Sequence, residues 1–364
     1  MKIITCEQVS NGHPDKICDQ IADAIVTDCL NHDKNSRVAI ECLFKNRSLV
    51  IAGELTSTHE PDYKALVQQV FDRINNGGAE NSDAGLDYKL DITADDLDIT
   101  ILVDRQSSDI ALGVNIGGAG DQGMMFGYAC NETPELLPIP FVLATRFLEL
   151  LKAYPCRMLK ADAKAQVSYD YDSGKITTFL CSVQHTPDVE VEDFREIIEK
   201  LMVRTATGYG LNTDFEKLIN PTGRFVHGSS FADCGVTGRK LACDTYGGIG
   251  HIGGGAMSGK DPSKVDRSGA YAARKIARDI VSAGYADKAE VQIAYAIGIA
   301  NPVSVYVETF CTEHQDKEFI NQYVRENYDL TPRGIIESLG LLDVDYNVVS
   351  AYGHFGKKGL PWEE

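Results

Sequence analysis

An α+β protein assembled from similar modules is the fold this sequence predicts, and three observations carry it. Hairpin patterns recur about three times, long helical patterns alternate with them, and glycine-rich loops lie between, without the regular rhythm of a βαβ protein. The first helix follows His13-Pro14-Asp15, where Pro14 suits a first-turn position and Ile17, Ile21, Ala24 and Ile25 share one apolar face. Residues 37–44 and 48–56 then read as two strands around the turn Lys45-Asn46-Arg47. A second hairpin, 165–171 with 176–184, turns at Asp172-Ser173-Gly174-Lys175. In the third, residues 291–300 place Val291, Ile293, Tyr295, Ile297 and Ile299 on one side and lead into 304–310. Long helices fit 141–152, 191–203 and 268–283, the last capped by Gly284. Residues 75–98 are acidic and loop-like, which reads as a surface excursion.

A chain of 364 residues exceeds what one small core organises, so two or three domains are expected. Hydrophobic residues at 43% and charged residues at 24% are an ordinary globular balance, which excludes wholesale disorder. The net charge is −18, from 53 acidic and 35 basic residues. Such a surface repels a phosphodiester backbone, so nucleic acid is not an expected partner. Any local concentration of cations therefore calls for explanation. No stretch approaches the roughly 18 apolar residues of a membrane span, and the first residues lack the apolar core of a signal peptide. Ten cysteines are scattered, with no Cys-x-x-Cys pair and no nearby His at zinc-ligand spacing. Cys18, Cys29 and Cys42 fall on apolar phases and read as reduced thiols packed like small hydrophobes. The expectation is a cytoplasmic protein with no membrane partner.

Two glycine-rich runs match nucleotide-binding patterns only in part. Gly118-Ala119-Gly120-Asp121-Gln122-Gly123 satisfies GxGxxG, but the following Met124–Tyr128 stretch looks extended rather than helical, and an Asp among the glycines repels a pyrophosphate. Residues 254–260 fit the first seven positions of a P-loop, yet Asp261 stands where the Mg²⁺-binding Ser or Thr belongs and Pro262 blocks an immediate helix. The physical case for phosphate rests on charge density instead. Five cations (Arg239, Lys240, Lys260, Lys264 and Arg267) face only three acids (Asp244, Asp261 and Asp266), and nine glycines lie between Gly235 and Gly259. Glycine lets backbone N–H groups approach an anion closely. A nucleotide polyphosphate arrives with Mg²⁺, which calls for carboxylates; Asp266 and Asp15 are the candidates, Asp15 doubling as a plain helix cap.

At these residues the sequence resembles the S-adenosylmethionine synthetases. The matching segments are 12–16 (Gly-His-Pro-Asp-Lys), 118–128, 162–164, 220–225, 233–240, 244–248, 253–267 and 351–356, in order along the whole chain. The resemblance implies three related α+β domains around a pseudo-threefold axis: 1–108, 109–231 with a short gating loop at 110–119, and 232–364. It implies synthesis of S-adenosylmethionine from ATP and L-methionine, with hydrolysis of the released tripolyphosphate. By the same resemblance His13 meets the phosphate side of ATP, while Lys164, Arg239, Lys240, Lys260 and Lys264 hold the tripolyphosphate. Asp15 and Asp266 match the two Mg²⁺ carboxylates, and Glu41 matches a K⁺ ligand. Phe225 matches the residue stacked on adenine, with Arg224, Asp162 and Ala256 among the ATP contacts. Glu54, Gln106, Asp121, Asp233, Lys264 and Ile297 match methionine contacts, Asp233 also lying near the nucleotide. The resemblance further implies a homodimer at minimum, or a homotetramer as a pair of dimers, with the site between subunits.

Four departures from the family stand out. The loop before Gly120 is short and uncharged, 86–103 is longer than its counterpart, Asn11 replaces a common acid and Ile252 a common His. The alternative readings are another ATP-dependent kinase or ligase using the near P-loop, and a non-catalytic nucleotide sensor. The sensor reading expects losses among the site cations, and none is lost.

Overall fold

The computed structural model describes residues 2–75, 89–105 and 118–364. Among the described residues the strands are β1 (Ile3–Val9), β2 (Arg37–Lys45), β3 (Ser48–Thr56), β4 (Asp98–Asp104), β5 (Gly123–Cys130), β6 (Leu159–Asp170), β7 (Lys175–His185), β8 (Glu216–Ile219), β9 (Gly235–Val236), β10 (Lys288–Tyr295) and β11 (Ser304–Glu308). The longer helices are α1 (Pro14–His32), α2 (Tyr63–Asn75), α3 (Ile139–Ala153), α4 (Val191–Gly208), α5 (Val265–Ser282), α6 (Lys317–Asn327) and α7 (Pro332–Ser338).

The strands form three sheets, ordered β4-β3-β2-β9, β1-β6-β7-β8 and β11-β10-β5. Each is nucleated by one of the three hairpins expected from the sequence, and each hairpin's first strand pairs antiparallel with a strand from elsewhere in the chain. That borrowed strand lies upstream of another module's helix, directly so for β1 and β5 and across the glycine-rich segment for β9. β1 precedes α1 but pairs with β6; β5 precedes α3 but pairs with β10; β9 lies upstream of α5 but pairs with β2. The exchange is cyclic, so the three modules are locked together around a pseudo-threefold arrangement. In two sheets the far edge is completed by a parallel strand, β4 on β3 and β8 on β7.

Each sheet carries one long helix on its inner face: α1 on β2 and β9, α3 on β6 and β1, α5 on β10 and β5. Along β2 the alternation is strict, with Val38, Ile40, Cys42 and Phe44 buried toward α1 and Glu41 and Leu43 exposed. Sixteen of the nineteen residues of α1 are buried, because α2 and the C-terminal segment cover the side turned away from the sheet. The tail is part of this packing. Trp362 stacks on Tyr271 with centroids 3.7 Å apart, and Phe355 stacks on Tyr246 at 5.1 Å.

Two expectations are corrected. The third hairpin's first strand ends at Tyr295, so Ile297 and Ile299 are exposed rather than continuing its buried face. Gly298 turns there with φ +77°, and the backbone pairs with Ala119 instead (Gly298 N–H to the Ala119 carbonyl, 2.8 Å). The supposed surface excursion at 75–98 is also partly core. Leu90, Ile92, Ala94 and Leu97 are buried and lead into β4, their apolar spacing masked by the acids around them. The other helices and hairpins form within a few residues of the expected limits, and Gly284 closes α5 with φ +71°. Among the described residues all ten cysteines are free, eight of them buried; Cys234 is half-buried and Cys311 exposed.

Candidate active site

A first cluster forms where β1 gives way to α1. Ser10 N–H donates to the Ala163 carbonyl (2.9 Å), Ser10 Oγ donates to the Ala161 carbonyl (2.6 Å), and Ala163 N–H donates back to Ser10 Oγ (2.8 Å). These bonds clamp the turn onto β6. Gly12 permits the approach, since a Cβ there would overlap Ala161. His13 becomes the N-cap of α1, its Nδ1 accepting from Asp15 N–H at 3.2 Å. A nitrogen that accepts carries no proton, so the neutral ring keeps its proton on Nε2. Burial, reinforced by the nearby Lys240 and Lys164 charges, lowers His13 to about 3. The ring is therefore neutral, and its 4.0 Å approach to Asp15 Oδ2 is not an ion pair.

Asp15 is fully buried, yet its carboxylate is the hub of the cluster. Oδ1 accepts from Val236 N–H (2.8 Å) with Arg239 Nε 3.5 Å away, and Oδ2 accepts from Lys240 Nζ at 2.5 Å. Lys164 stands exposed on β6 opposite Val9 in the strand register. Two residues earlier, Asp162 Oδ2 accepts from Ser229 N–H (2.7 Å). Burial raises Asp162 to about 6. Its Oδ1 and the Ser229 hydroxyl are buried without a hydrogen-bond partner among the described residues, which leaves polar atoms ready for a ligand. Asp233 follows the short 229–232 turn, exposed, and its charge acts on both His13 and Asp162. Phe225 is tied to the end of β7 by mutual bonds with His185 (N–H to Nε2 3.0 Å, carbonyl from His185 N–H 2.9 Å), while Arg224 beside it is exposed.

A second cluster lies in the 253–267 segment. Lys260 Nζ bonds Asp266 Oδ2 at 2.5 Å, and Lys264 Nζ bonds Asp261 Oδ2 at 2.5 Å. Asp261 also accepts from Val38 N–H (2.7 Å) and Ser263 N–H (2.9 Å), so it fastens the loop to β2. Its Lys264 partner and those bonds hold it below the usual carboxylate range despite burial. Helix α5 starts only at Val265, past Pro262, as the broken P-loop pattern implies. Gly255 passes so close to Asp266 that a Cβ would overlap the carboxylate. Met124, Phe126, Gly253, Gly255, Met257 and Asp266 line a shallow cavity there.

One side of α1 aligns both clusters. Asp15, Asp19 and Asp23, spaced i, i+4 and i+8, accept from Val236 N–H (2.8 Å), Gly238 N–H (2.8 Å) and Gly259 N–H (2.9 Å) respectively. Sequence reasoning alone misses Asp19 and Asp23, although their four-residue spacing from Asp15 is a signal that could find them. Arg267 is corrected: counted among the phosphate cations, it is wholly buried, bonded to Asp23 and to Tyr271 Oη (3.0 Å). Lys16 is likewise buried, between Asp19 (2.9 Å) and Asp244.

The structure thus brings His13, Asp15, Lys164, Asp162, Asp233, Arg239 and Lys240 together, and separately Lys260, Lys264, Asp266 and Ala256. Among the described residues no ion pair joins the two sets. They border each other at Gly238, where a Cβ would overlap Ala256. Glu41 is exposed on β2, Glu54 half-buried on β3 opposite Asp104 of β4, and Asp121 exposed just ahead of β5. Ile297 is exposed beyond β10. Gln106 and most of the 110–119 loop lie outside the described residues.

The comparisons agree with this architecture. Models of the N-terminal, central and C-terminal domains of S-adenosylmethionine synthetase match residues 1–108, 116–225 and 227–364. A solved S-adenosylmethionine synthetase from Campylobacter jejuni, described as unusual, superposes with a TM-score of 0.89 at 38% identity, covering 100% of this chain and 97% of the other. Three matched domains and a full-length structural likeness place the chain in the S-adenosylmethionine synthetase family, with that family's methionine adenosyltransferase activity and its general dependence on metal ions.

Proposed function

We propose that the reaction is direct attack of the methionine sulfur on C5′ of ATP, followed by hydrolysis of the released tripolyphosphate to phosphate and pyrophosphate. A thioether has a lone pair and no proton to lose, so the attack needs neither a general base nor a covalent nucleophile. The sulfur pair forms the S–C5′ bond while the C5′–O pair leaves with the tripolyphosphate. What remains for the protein is to align the reactants and stabilise the departing charge.

The observation that carries this reading is the neutral, Nε2-protonated His13 set among Lys164, Arg239 and Lys240. His13 Nε2–H supplies a directed donor to the leaving oxygen, and the three cations spread the charge of the phosphates. Lys260 and Lys264 hold the far phosphates, with Lys264 also reaching methionine. Asp162, Arg224, Phe225 and Ala256 serve the nucleoside side; Asp233 serves both substrates; Glu54, Gln106, Asp121 and Ile297 serve methionine. Asp15 and Asp266 offer hard oxygen donors, and each already neutralises itself against a lysine ammonium, as a cation site would. We assign them two Mg²⁺ ions and Glu41 a K⁺ ion; bound there, the ions would neutralise phosphate oxygens.

A homodimer at minimum, or a tetramer of paired dimers, completes the reading, with the Lys260–Asp266 set of one subunit facing the His13–Lys240 set of the other. Support comes from Leu43, Ile101, Met124 and Tyr306, large apolar side chains exposed on two of the sheets. No helix among the described residues is long and apolar enough to cross a membrane, in keeping with a cytoplasmic enzyme.

The test uses ATP with one C5′ hydrogen replaced stereospecifically by deuterium, with methionine, Mg²⁺ and K⁺; proton NMR reads the configuration at C5′ and mass spectrometry identifies the products. Inverted S-adenosylmethionine with phosphate and pyrophosphate is expected. Retention at C5′, or ADP accumulating without a sulfonium product, would overturn the reading.

A further inference from the structure

At the opposite end of α1 from His13, Asp28 and His32 stand one turn apart, and the loop after β3 brings His59 against them. His59 Nε2 lies 2.7 Å from Asp28 Oδ2, and His32 Nδ1 lies 3.5 Å from Asp28 Oδ1. The two imidazoles stack, with centroids 3.9 Å and planes 12° apart. One ligand atom from each of the three side chains lies within 4.8 Å of the other two. We propose that Asp28, His32 and His59 form a binding site for a transition-metal dication of the zinc type, separate from the magnesium carboxylates.

His32 Nδ1 donates to the Asp28 carbonyl at 2.9 Å; a carbonyl only accepts, so the His32 proton is on Nδ1 and Nε2 is the free ligand atom. Such a bond to a carbonyl fixes the tautomer of metal-ligating histidines generally. The loop carrying His59 is held as well. Asp33 Oδ2 accepts from Thr58 N–H and Thr58 Oγ1–H, both at 2.9 Å, and Ser57 Oγ accepts from His59 N–H at 3.1 Å. The carbonyl end of α1 adds a favourable field for a cation.

A tetrahedral ion with ligand bonds of about 2.0 Å needs donor atoms roughly 3.3 Å apart. The 4.8 Å limit closes to that by rotation of His32, whose side chain is 56% exposed; the rotation exchanges its Nδ1 bond to the Asp28 carbonyl for the bond to the metal. The metal takes the place of the hydrogen bond between His59 Nε2 and Asp28 Oδ2, and a proton goes to solvent only from a His59 ring that was protonated before binding. Two imidazoles and one carboxylate favour zinc-like ions, whereas Mg²⁺ prefers oxygen donors throughout. The fourth position is left to solvent, and the bound ion would staple the end of α1 to the loop after β3.

The test titrates the full-length protein with Co²⁺ and then Zn²⁺ in excess Mg²⁺, following visible absorption, proton release and melting temperature. One saturable equivalent is expected, raising the melting temperature and showing no thiolate charge-transfer band from Cys311 or Cys234. His32→Gln and His59→Gln should each weaken binding by about tenfold or more, without changing S-adenosylmethionine formation in Mg²⁺. His251→Gln is the control, because His251 pairs with Glu290 at 2.6 Å but brings only one imidazole. No saturable equivalent, thiolate absorption, or equal binding by all three variants would each refute the assignment.

Discussion

Replacing His13 probes the feature on which the proposed chemistry turns. With His13 held at about 3 against an ordinary value of 6.5, the neutral ring is favoured by about 5 kcal/mol, at roughly 1.4 kcal/mol per pH unit. The ring then stays neutral in the free enzyme well below pH 6, with Nε2–H as its only donor. Losing one preorganised donor to a developing oxyanion costs about 10²–10³ in turnover. His13→Ala should fall by that factor, together with about 1 kcal/mol of stability from the lost N-cap. His13→Asn keeps an acceptor for Asp15 N–H and a donor of shorter reach, so it should lose less on both counts. The assay is kcat/KM for ATP as a function of pH, which reports the free enzyme. Taking the ratio of wild type to His13→Ala cancels the titration of ATP itself. That ratio should be large and flat from about pH 8.5 to about pH 5.5. A ratio that collapses as pH falls through 6.5 would show a titrating imidazole and refute the neutral-donor role; so would a His13→Ala enzyme within a few-fold of wild type.

Lys164→Met should suppress sulfonium formation by about 10² or more while leaving the melting temperature near wild type, because Lys164 is exposed; unaltered product yield would remove it from the site. Asp266→Asn should raise the Mg²⁺ concentration for half-maximal rate at least about tenfold, and an unchanged Mg²⁺ titration would reassign that carboxylate. Arg267→Met leaves Asp23 buried and unpaired, so urea denaturation should show a loss of about 3–5 kcal/mol, largely recovered in Asp23→Asn/Arg267→Met; simple additivity of the two changes would disprove the coupling. Burial holds both His13 and His354 far below 6.5, so as pH falls below 6.5 the unfolded chain binds protons that the folded chain does not, and stability should decline. Asp162 and Asp244, each raised by burial to about 6, act in the opposite sense below about 6, so the decline is read between about pH 7 and 6; His354→Gln should flatten it, and an equally steep profile in that variant would exclude His354.

Much of the fold was legible because its signals are local. The hairpins at β2–β3 and β6–β7 alternate cleanly and close on turn residues, and α3 and α5 carry long apolar stripes. The cyclic exchange of β1, β5 and β9 was not legible, because each borrowed strand pairs with residues more than a hundred positions away and nothing in its own pattern names the partner. β9 is two residues long and carries no periodicity at all. In β4, Asp98 and Asp104 bracket an apolar run that reads as part of an acidic loop until its parallel pairing with β3 is seen.

The site divided along the same line. Residues whose chemistry is written in motifs, such as His13, Asp15, Lys240, Lys260 and Asp266, could be named from the chain. What holds them could not, because a buried charge looks like a solvated one in a sequence. Asp19 and Asp23 would pass as the polar face of an amphipathic helix, yet both are fully buried. Their partners, Gly238 N–H, Gly259 N–H and Arg267, sit more than two hundred residues downstream. The consequence is mechanical. Asp15, Asp19 and Asp23 fix three points of the glycine-rich segment to one rigid helix, so the glycines that let backbone approach an anion do not leave it slack. Preorganised donors and cations stabilise a leaving group only if they need not reorganise as charge develops. In this chain that rigidity comes from a row of carboxylates on α1, the first of which is also one of the two proposed Mg²⁺ carboxylates.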